Sequence, residues 1–190
     1  MTHHLLKRNA PMNAQAVLDF WFEEIAPRQW WEKSADFDRD LGRRFGALHA
    51  AASRCELADW RETPHGRLAE IIVLDQFSRN IFRDEPEAFA CDPLALALAQ
   101  HAVSVQDDQA LPPEQRAFLY MPFMHSESPL IHTVALALFS QEGLSHALPS
   151  EIRHKAIIDR FGRYPHRNAI LGRASTEEEI AFLATPGSSF

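Results

Sequence analysis

Asp75 and Arg79 stand four residues apart in the string Asp75-Gln-Phe-Ser-Arg-Asn-Ile-Phe-Arg83. With the acid N-terminal, that spacing lets a carboxylate and a guanidinium meet on one helix face. Two further strings mix ionisable and large apolar residues in the same way: Tyr120-Met-Pro-Phe-Met-His-Ser-Glu127 and Phe161-Gly-Arg-Tyr-Pro-His-Arg-Asn-Ala-Ile-Leu-Gly-Arg173. Charge placed among Phe, Ile and Leu is costly unless it is paired or serves a ligand, so the three strings read as walls of one site. Arg79, Arg163 and Arg167 can hold an anion, because the guanidinium fork matches carboxylate and phosphate. Asn80 and Asn168 can set its orientation. His125 or His166 is the candidate for proton transfer near neutral pH, with Asp75 and Glu127 as partners or bases.

A purely structural alternative uses the same residues. In it Arg163, Arg167 and Arg173 pair with Asp75, Glu127 and Asp159 and knit the helices together. His125, Glu127, His154, Asp159 and His166 are all metal-ligand types, but their spacing matches neither HExxH nor the paired Glu-x-x-His pattern of di-iron bundles, and no metal is assigned. No GxGxxG, Walker-A, GxSxG or catalytic-cysteine signature is present, so the motifs name no cofactor. His49, His65 and His101 lie in ordinary helical or linker contexts and are read as structural.

The elements that must position these strings are helical. Ala14, Val17, Leu18 and Trp21 fall at i, i+3, i+4 and i+7, and Phe37, Leu41, Phe45, Leu48 and Ala52 mark a second helix with Ser34 as its N-cap. Trp30-Trp31 closes the corner between them. Thr63-Pro64 starts a third helix, and Leu68 to Leu74 is apolar nearly all round, so this helix is expected to be central. Carrying it forward at about 100° per residue puts Asp75 and Arg79 on the buried stripe of Leu68. Asp92-Pro93 starts a fourth helix, Pro112-Pro113 precedes a fifth interrupted at Pro122, and Ser128-Pro129 opens a sixth ending near Gly143. A seventh is expected from about Glu151 to Phe161, and Ser175-Thr-Glu-Glu178 fits a capping box for the last.

With no period-2 strand pattern, the chain reads as all-α. Consecutive antiparallel helix hairpins, about eight helices in all, make a single domain over residues 13–184, with a flexible segment at 1–12 and a frayed tail at 185–190. A length of 190 residues suits one domain, and an apolar fraction of 46% with 24% charged residues is that of an ordinary globular protein. Two cysteines, Cys55 and Cys91, make no disulfide scaffold. No apolar run reaches the roughly 18 residues that would span a bilayer and the N-terminus has no sustained apolar core, so a cytoplasmic location is expected. The net charge of −7 disfavours nucleic acid as a partner. Six basic and two acidic residues nevertheless concentrate positive charge in 151–173.

The three strings, in this order, resemble a bacterial family called domain of unknown function 924, over nearly the whole chain from Asp19-Phe-Trp-Phe22 to Phe182-Leu183. That resemblance implies an all-helical fold of the tetratricopeptide-like (TPR-like) kind and supplies no established catalytic residues. The chain departs from the family pattern at Ser78, where Pro is usual, at Tyr164, where Phe is frequent, and in its continuation through Ser128-Pro129-Leu130. The reading that follows is a helical protein whose polar Arg/His/Asp pocket takes a small phosphate- or carboxylate-bearing ligand and carries groups for acid/base chemistry. Whether it catalyses is left open by the residues, as is its oligomeric state. The alternative is a TPR-like module that binds a peptide or protein, with Trp30, Trp31 and Trp60 on its surface and the polar motifs as buttresses.

Overall fold

The computed structural model describes residues 13–189, and among them there are helices and turns and no strand. The expected flexible segment 1–12 lies outside the described residues. α1 (Ala14–Asp19) is capped by Asn13, whose side chain accepts from Ala16 N at 2.9 Å, and runs into a π-helical turn over Phe20–Glu24. α2 (Ala35–Ser53) starts at Ser34, whose hydroxyl accepts from Phe37 N at 3.3 Å, the cap read from the sequence. α3 (Pro64–Ile72) is capped by Thr63 with Pro64 in its first turn. Leu68, Ile71, Ile72 and Leu74 are fully buried, so this helix is the central one expected. Its continuation is a π-helical turn over Val73–Phe77 followed without a break by α4 (Ser78–Ile81).

A short helix absent from the sequence reading, α5 (Glu87–Ala90), leads into α6 (Asp92–Ser104). α7 (Pro113–Met124) carries Pro122 inside it and ends just before His125. α8 (Pro129–Phe139) stops earlier than Gly143, and α9 (Leu148–Phe161) starts earlier than Glu151. α9 ends at Gly162, whose φ of +67° is a left-handed turn that favours glycine.

α10 (Glu177–Leu183) has the predicted capping box one residue later, on Thr176 and Glu179. Ser175 lies just before the cap, and its hydroxyl accepts from Asn168 Nδ2 at 3.0 Å. Beyond α10 the Thr185 and Ser188 hydroxyls donate to the carbonyls of Phe182 and Leu183.

Successive helices α6 to α9 pack each on the next, an arrangement compatible with TPR-like hairpins. α3 sits against α1, α6 and α7, and its buried face meets an aromatic cluster of Phe20, Trp21, Phe45, Phe77 and Phe118. A second, smaller core of Ile157, Ile158 and Tyr164, with Phe161 and Phe182 against it, lies under the 162–173 loop. No helix among the described residues is long and apolar enough to cross a membrane.

Candidate functional site

The site begins at the π turn of the central helix. Such turns give up the ordinary i→i+4 bonds and are frequent at functional positions. Here three consecutive carbonyls also accept from side chains. Ser78 Oγ donates to Leu74 O at 2.6 Å, Arg79 Nη1 to Asp75 O at 2.8 Å, and Asn80 Nδ2 to Gln76 O at 2.9 Å. The Asp-Gln-Phe-Ser-Arg-Asn string is therefore first a device for holding a π turn in a buried helix. His49, read as structural, serves it too: Ser78 spends its proton on Leu74, so its oxygen accepts from His49 Nε2 at 2.7 Å.

Asp75 is the pivot of this turn. Its Oδ1 lies 2.7 Å from His125 Nδ1 and 3.2 Å from Arg79 Nη1, and its Oδ2 accepts from Gln76 Nε2 at 2.6 Å. Burial acts to raise the Asp75 pKa, but the charge of Arg79 and the bond from His125 win, and it is held well below the usual carboxylate range. An ionised Asp75 cannot donate, so His125 Nδ1 carries the proton. Burial, reinforced by Arg79, pushes the His125 pKa down despite the pull of Asp75. The imidazole is consequently neutral at pH 7, its lone pair on Nε2, the state of a general base oriented by a carboxylate.

Two guanidiniums from distant parts of the chain converge beside this pair. Arg79 binds Asp92 through both Nη atoms, at 2.9 and 3.0 Å, and Arg167 Nη1 reaches the same carboxylate at 3.2 Å. Arg167 Nη2 donates to His125 O at 3.1 Å, and its guanidinium lies 4.5 Å from the Phe89 ring centre and 4.6 Å from that of Tyr164. Burial works against the charge of Arg79, yet Asp75 and Asp92 raise its pKa. Burial and the charge of Arg79 together lower that of Arg167. Arg167 Nε is buried and has no hydrogen-bond acceptor among the described residues.

Of the predicted site residues, then, Asp75, Arg79, His125 and Arg167 come together. Glu127 does not orient His125, as expected of it; Asp75 does, because the π turn brings that carboxylate across to the end of α7. Glu127 instead accepts from Arg173 at 2.6 and 2.9 Å and from Tyr164 N at 2.7 Å, fastening the 125–128 corner to the 162–173 loop. It is still near enough to lend Arg167 and His166 its field. Asn168 holds Ser175 and accepts from Arg173 Nε at 3.0 Å, a bond within the loop. Arg163 pairs bidentately with Glu179 at the start of α10, and Asn80 Oδ1 accepts from Arg83, which is itself bound to Asp38. The ring of His166 stands 5.6 Å from that of Tyr164.

The expected ion pairs are redrawn accordingly. Arg163 meets Glu179, Arg167 meets Asp92, and Arg173 meets Glu127, while Asp159 is taken by Lys155 one turn away. Two of the three carboxylates, Asp92 and Glu179, lie at the first turns of α6 and α10, where residue spacing had marked only helix starts. Sequence reasoning also missed a buried pair under the corner. His132 Nδ1 lies 2.8 Å from Glu151 Oε1, and His132 Nε2 donates to Ser126 O at 2.8 Å. Tyr164 OH donates to Met124 O at 2.5 Å. The carbonyls of Met124, His125 and Ser126 are thus each held by a side chain from α8 or the 162–173 loop.

Trp30 and Trp60 pack partly buried against the core, and Trp30 Nε1 donates to Trp21 O at 2.9 Å. Trp31 alone of the three is displayed, 65% exposed and stacked on Phe118. Among the described residues no group of three or more His, Cys, Asp or Glu is arranged to hold a metal ion.

Residues 17–187 match the family model described as "Bacterial protein of unknown function (DUF924)". A solved structure, "Structure of Protein of Unknown Function ATU0120 from Agrobacterium tumefaciens", is 39% identical, superposes with a TM-score of 0.82, and is matched over 90% of this chain and 96% of that one. No curated protein matches. With the three polar strings, the helical architecture and the family model in agreement over nearly the whole length, this chain belongs to the bacterial family of unknown function called DUF924.

Proposed function

We propose that this protein binds a small anionic ligand, phosphate- or carboxylate-bearing, at the convergence of α3/α4, the end of α7 and the 162–173 loop, and offers it acid/base chemistry. Arg79 and Arg167 are the anion-holding groups and His125, backed by Asp75, is the proton-transfer group. The observation that carries the reading is the Asp75–His125–Arg79 contact set. A neutral imidazole with a fixed tautomer stands beside two guanidiniums that share one carboxylate, a combination that packing alone does not require. Glu127, Arg173 and Asn168 hold the walls, and His166 packs beside the Tyr164 ring.

Thermal denaturation of the parent protein with inorganic phosphate, dicarboxylates and nucleotides tests it. A ligand that raises the Tm of the parent protein is expected to lose its effect in Arg167→Ala, with Arg167→Ala still unfolding cooperatively. If Arg167→Ala is unfolded and Arg167→Lys restores a normal Tm with no anion response in either, the arginine is a strut and the reading fails.

A second reading, docking of a peptide or protein, is supported by Leu130 and Val134, which stand one turn apart and exposed on α8. Leu130→Ser/Val134→Ser is the variant that would release such a partner from the purified protein.

A further inference from the structure

The two aspartates of the cluster are held very differently. Asp75 is 1% exposed and bonded through both oxygens to His125, Gln76 and Arg79. Asp92 keeps 16% of its side chain in solvent, and among the described residues its carboxylate bonds only to Arg79 and Arg167. The guanidiniums, by contrast, have anchors that do not involve Asp92. Arg79 is tied to both the carbonyl and the carboxylate of Asp75, and Arg167 to the His125 carbonyl and the rings of Phe89 and Tyr164. Asp92 is the first residue of α6, reached through the short α5 segment, so its side chain can turn away without disturbing the central helix. If it does so, the two forks stay where they are and face a space shaped by a carboxylate.

Charge gives the same answer. Two arginines face two aspartates, and His125 adds no charge in its neutral state. Replacing Asp92 by one carboxylate leaves the balance untouched. A phosphate monoester would bring about −1.5 to −2, and the surplus would lie beside the fully buried Asp75. Planar bidentate recognition suits a carboxylate equally well, since that is the group Arg79 already grips through two parallel bonds.

Resting on the anion-site reading above, we propose that Asp92 is an internal stand-in for the ligand and that the ligand is a small organic acid whose single carboxylate displaces it from Arg79 and Arg167. The rest of the acid then lies toward Phe89 and the His125 imidazole. The unliganded protein is thereby closed on itself, and the ligand competes with a tethered carboxylate.

The experiment is chemical rescue with formate and acetate. Asp92→Ala leaves two guanidiniums short of one counter-charge, and its Tm is expected to fall and to be restored by several degrees with millimolar acetate. The parent protein should respond only weakly. Inorganic phosphate at matched ionic strength should restore less. Asp92→Ala/Arg167→Ala should lose the acetate response, which places it at this site. Asp92→Asn, nearly isosteric, serves where the alanine variant is too unstable. Followed by the line width of 13C-acetate, it should bind acetate about tenfold more tightly than the parent, because its tethered competitor is neutral.

Acetate that acts equally with and without Arg167, or fails to act on either Asp92 variant, overturns the proposal. Phosphate that acts where acetate does not overturns the carboxylate class and leaves the anion site standing. Silence from both anions in both variants removes the two readings together.

Discussion

His125 is held neutral by its surroundings even though a carboxylate sits 2.7 Å from its Nδ1. Two influences oppose each other on this ring: burial and the charge of Arg79 lower its pKa, while Asp75 raises it. Removing the carboxylate charge should therefore lower the His125 pKa further. Asp75→Asn is predicted to keep the imidazole neutral to still lower pH and to release the Nδ1–H tautomer preference, read from the 15N shifts of the ring. A His125 that titrates higher in Asp75→Asn would contradict the electrostatics argued here. The same substitution leaves Arg79 short of one partner in a buried place. A loss of about 3 kcal/mol of unfolding free energy is expected, in the range of broken buried ion pairs. Denaturant midpoints at constant slope measure it.

At the scale of elements, the site depends on how α3 starts and how it is interrupted. Gly66 lies in the first turn of α3 where the chain folds back from Trp60. A Cβ at Gly66 would stand 2.0 Å from the Trp60 carbonyl oxygen, a backbone atom that cannot swing aside. Intrinsic helix propensity would favour alanine at this position by about 1 kcal/mol, so propensity and packing pull in opposite directions. The overlap is with backbone, and packing wins: Gly66→Ala is predicted to destabilise by about 2 kcal/mol or more. A variant as stable as the parent in thermal unfolding would show that the 58–62 turn is freer than its contacts imply. Further along the same helix, the π turn was invisible to a count of 100° per residue. Nothing in the string Val73 to Phe77 marks it. The marks come one turn later, in Ser78, Arg79 and Asn80, whose side chains donate to the carbonyls of Leu74, Asp75 and Gln76.

Across the whole molecule, four histidines gather around Tyr164, and burial lowers the pKa of three of them, His125, His154 and His166. The His125 and His154 rings are 6.3 Å apart, and those of His154, His132 and His166 stand 5.8, 6.3 and 5.6 Å from Tyr164. Burial, with the neighbouring His125, brings His154 from 6.5 down to about 3, and burial with Arg167 brings His166 from 6.5 down to about 4. Both folded values lie below the unfolded one, so the unfolded chain binds more protons as the solution is acidified. The stability these groups allow is complete above about pH 6.5 and is lost as pH falls from there toward 4 and then 3. Each histidine contributes a slope of up to about 1.4 kcal/mol per pH unit. Asp75 adds to the loss only below its unfolded value of 3.8. Glu151, raised by burial, acts in the opposite sense in its own acid range. Unfolding free energy measured from pH 7.5 to 4.5 is thus predicted to fall steeply below about 6.5, and His154→Phe to flatten the fall. A profile level down to pH 5 would refute the lowered pKa values of His154 and His166.

The sequence by itself determined the class of fold and the order of helices. Apolar periodicity, the Ser34 and Thr63 caps and the X-Pro helix starts are local properties, carried by residues a few positions apart. It also marked Asp75, Arg79, His125 and Arg167, because an ionisable group among large apolar residues is legible without coordinates. What only the tertiary structure decided was pairing. Asp92 looked like a helix start and proved to be the shared partner of two arginines, one of them 75 residues away. Glu127 looked like the partner of its neighbour His125 and was taken by Arg173. Charge selects its partner by distance in space, at roughly inverse separation, and one chain read in order carries no record of which helix ends will meet.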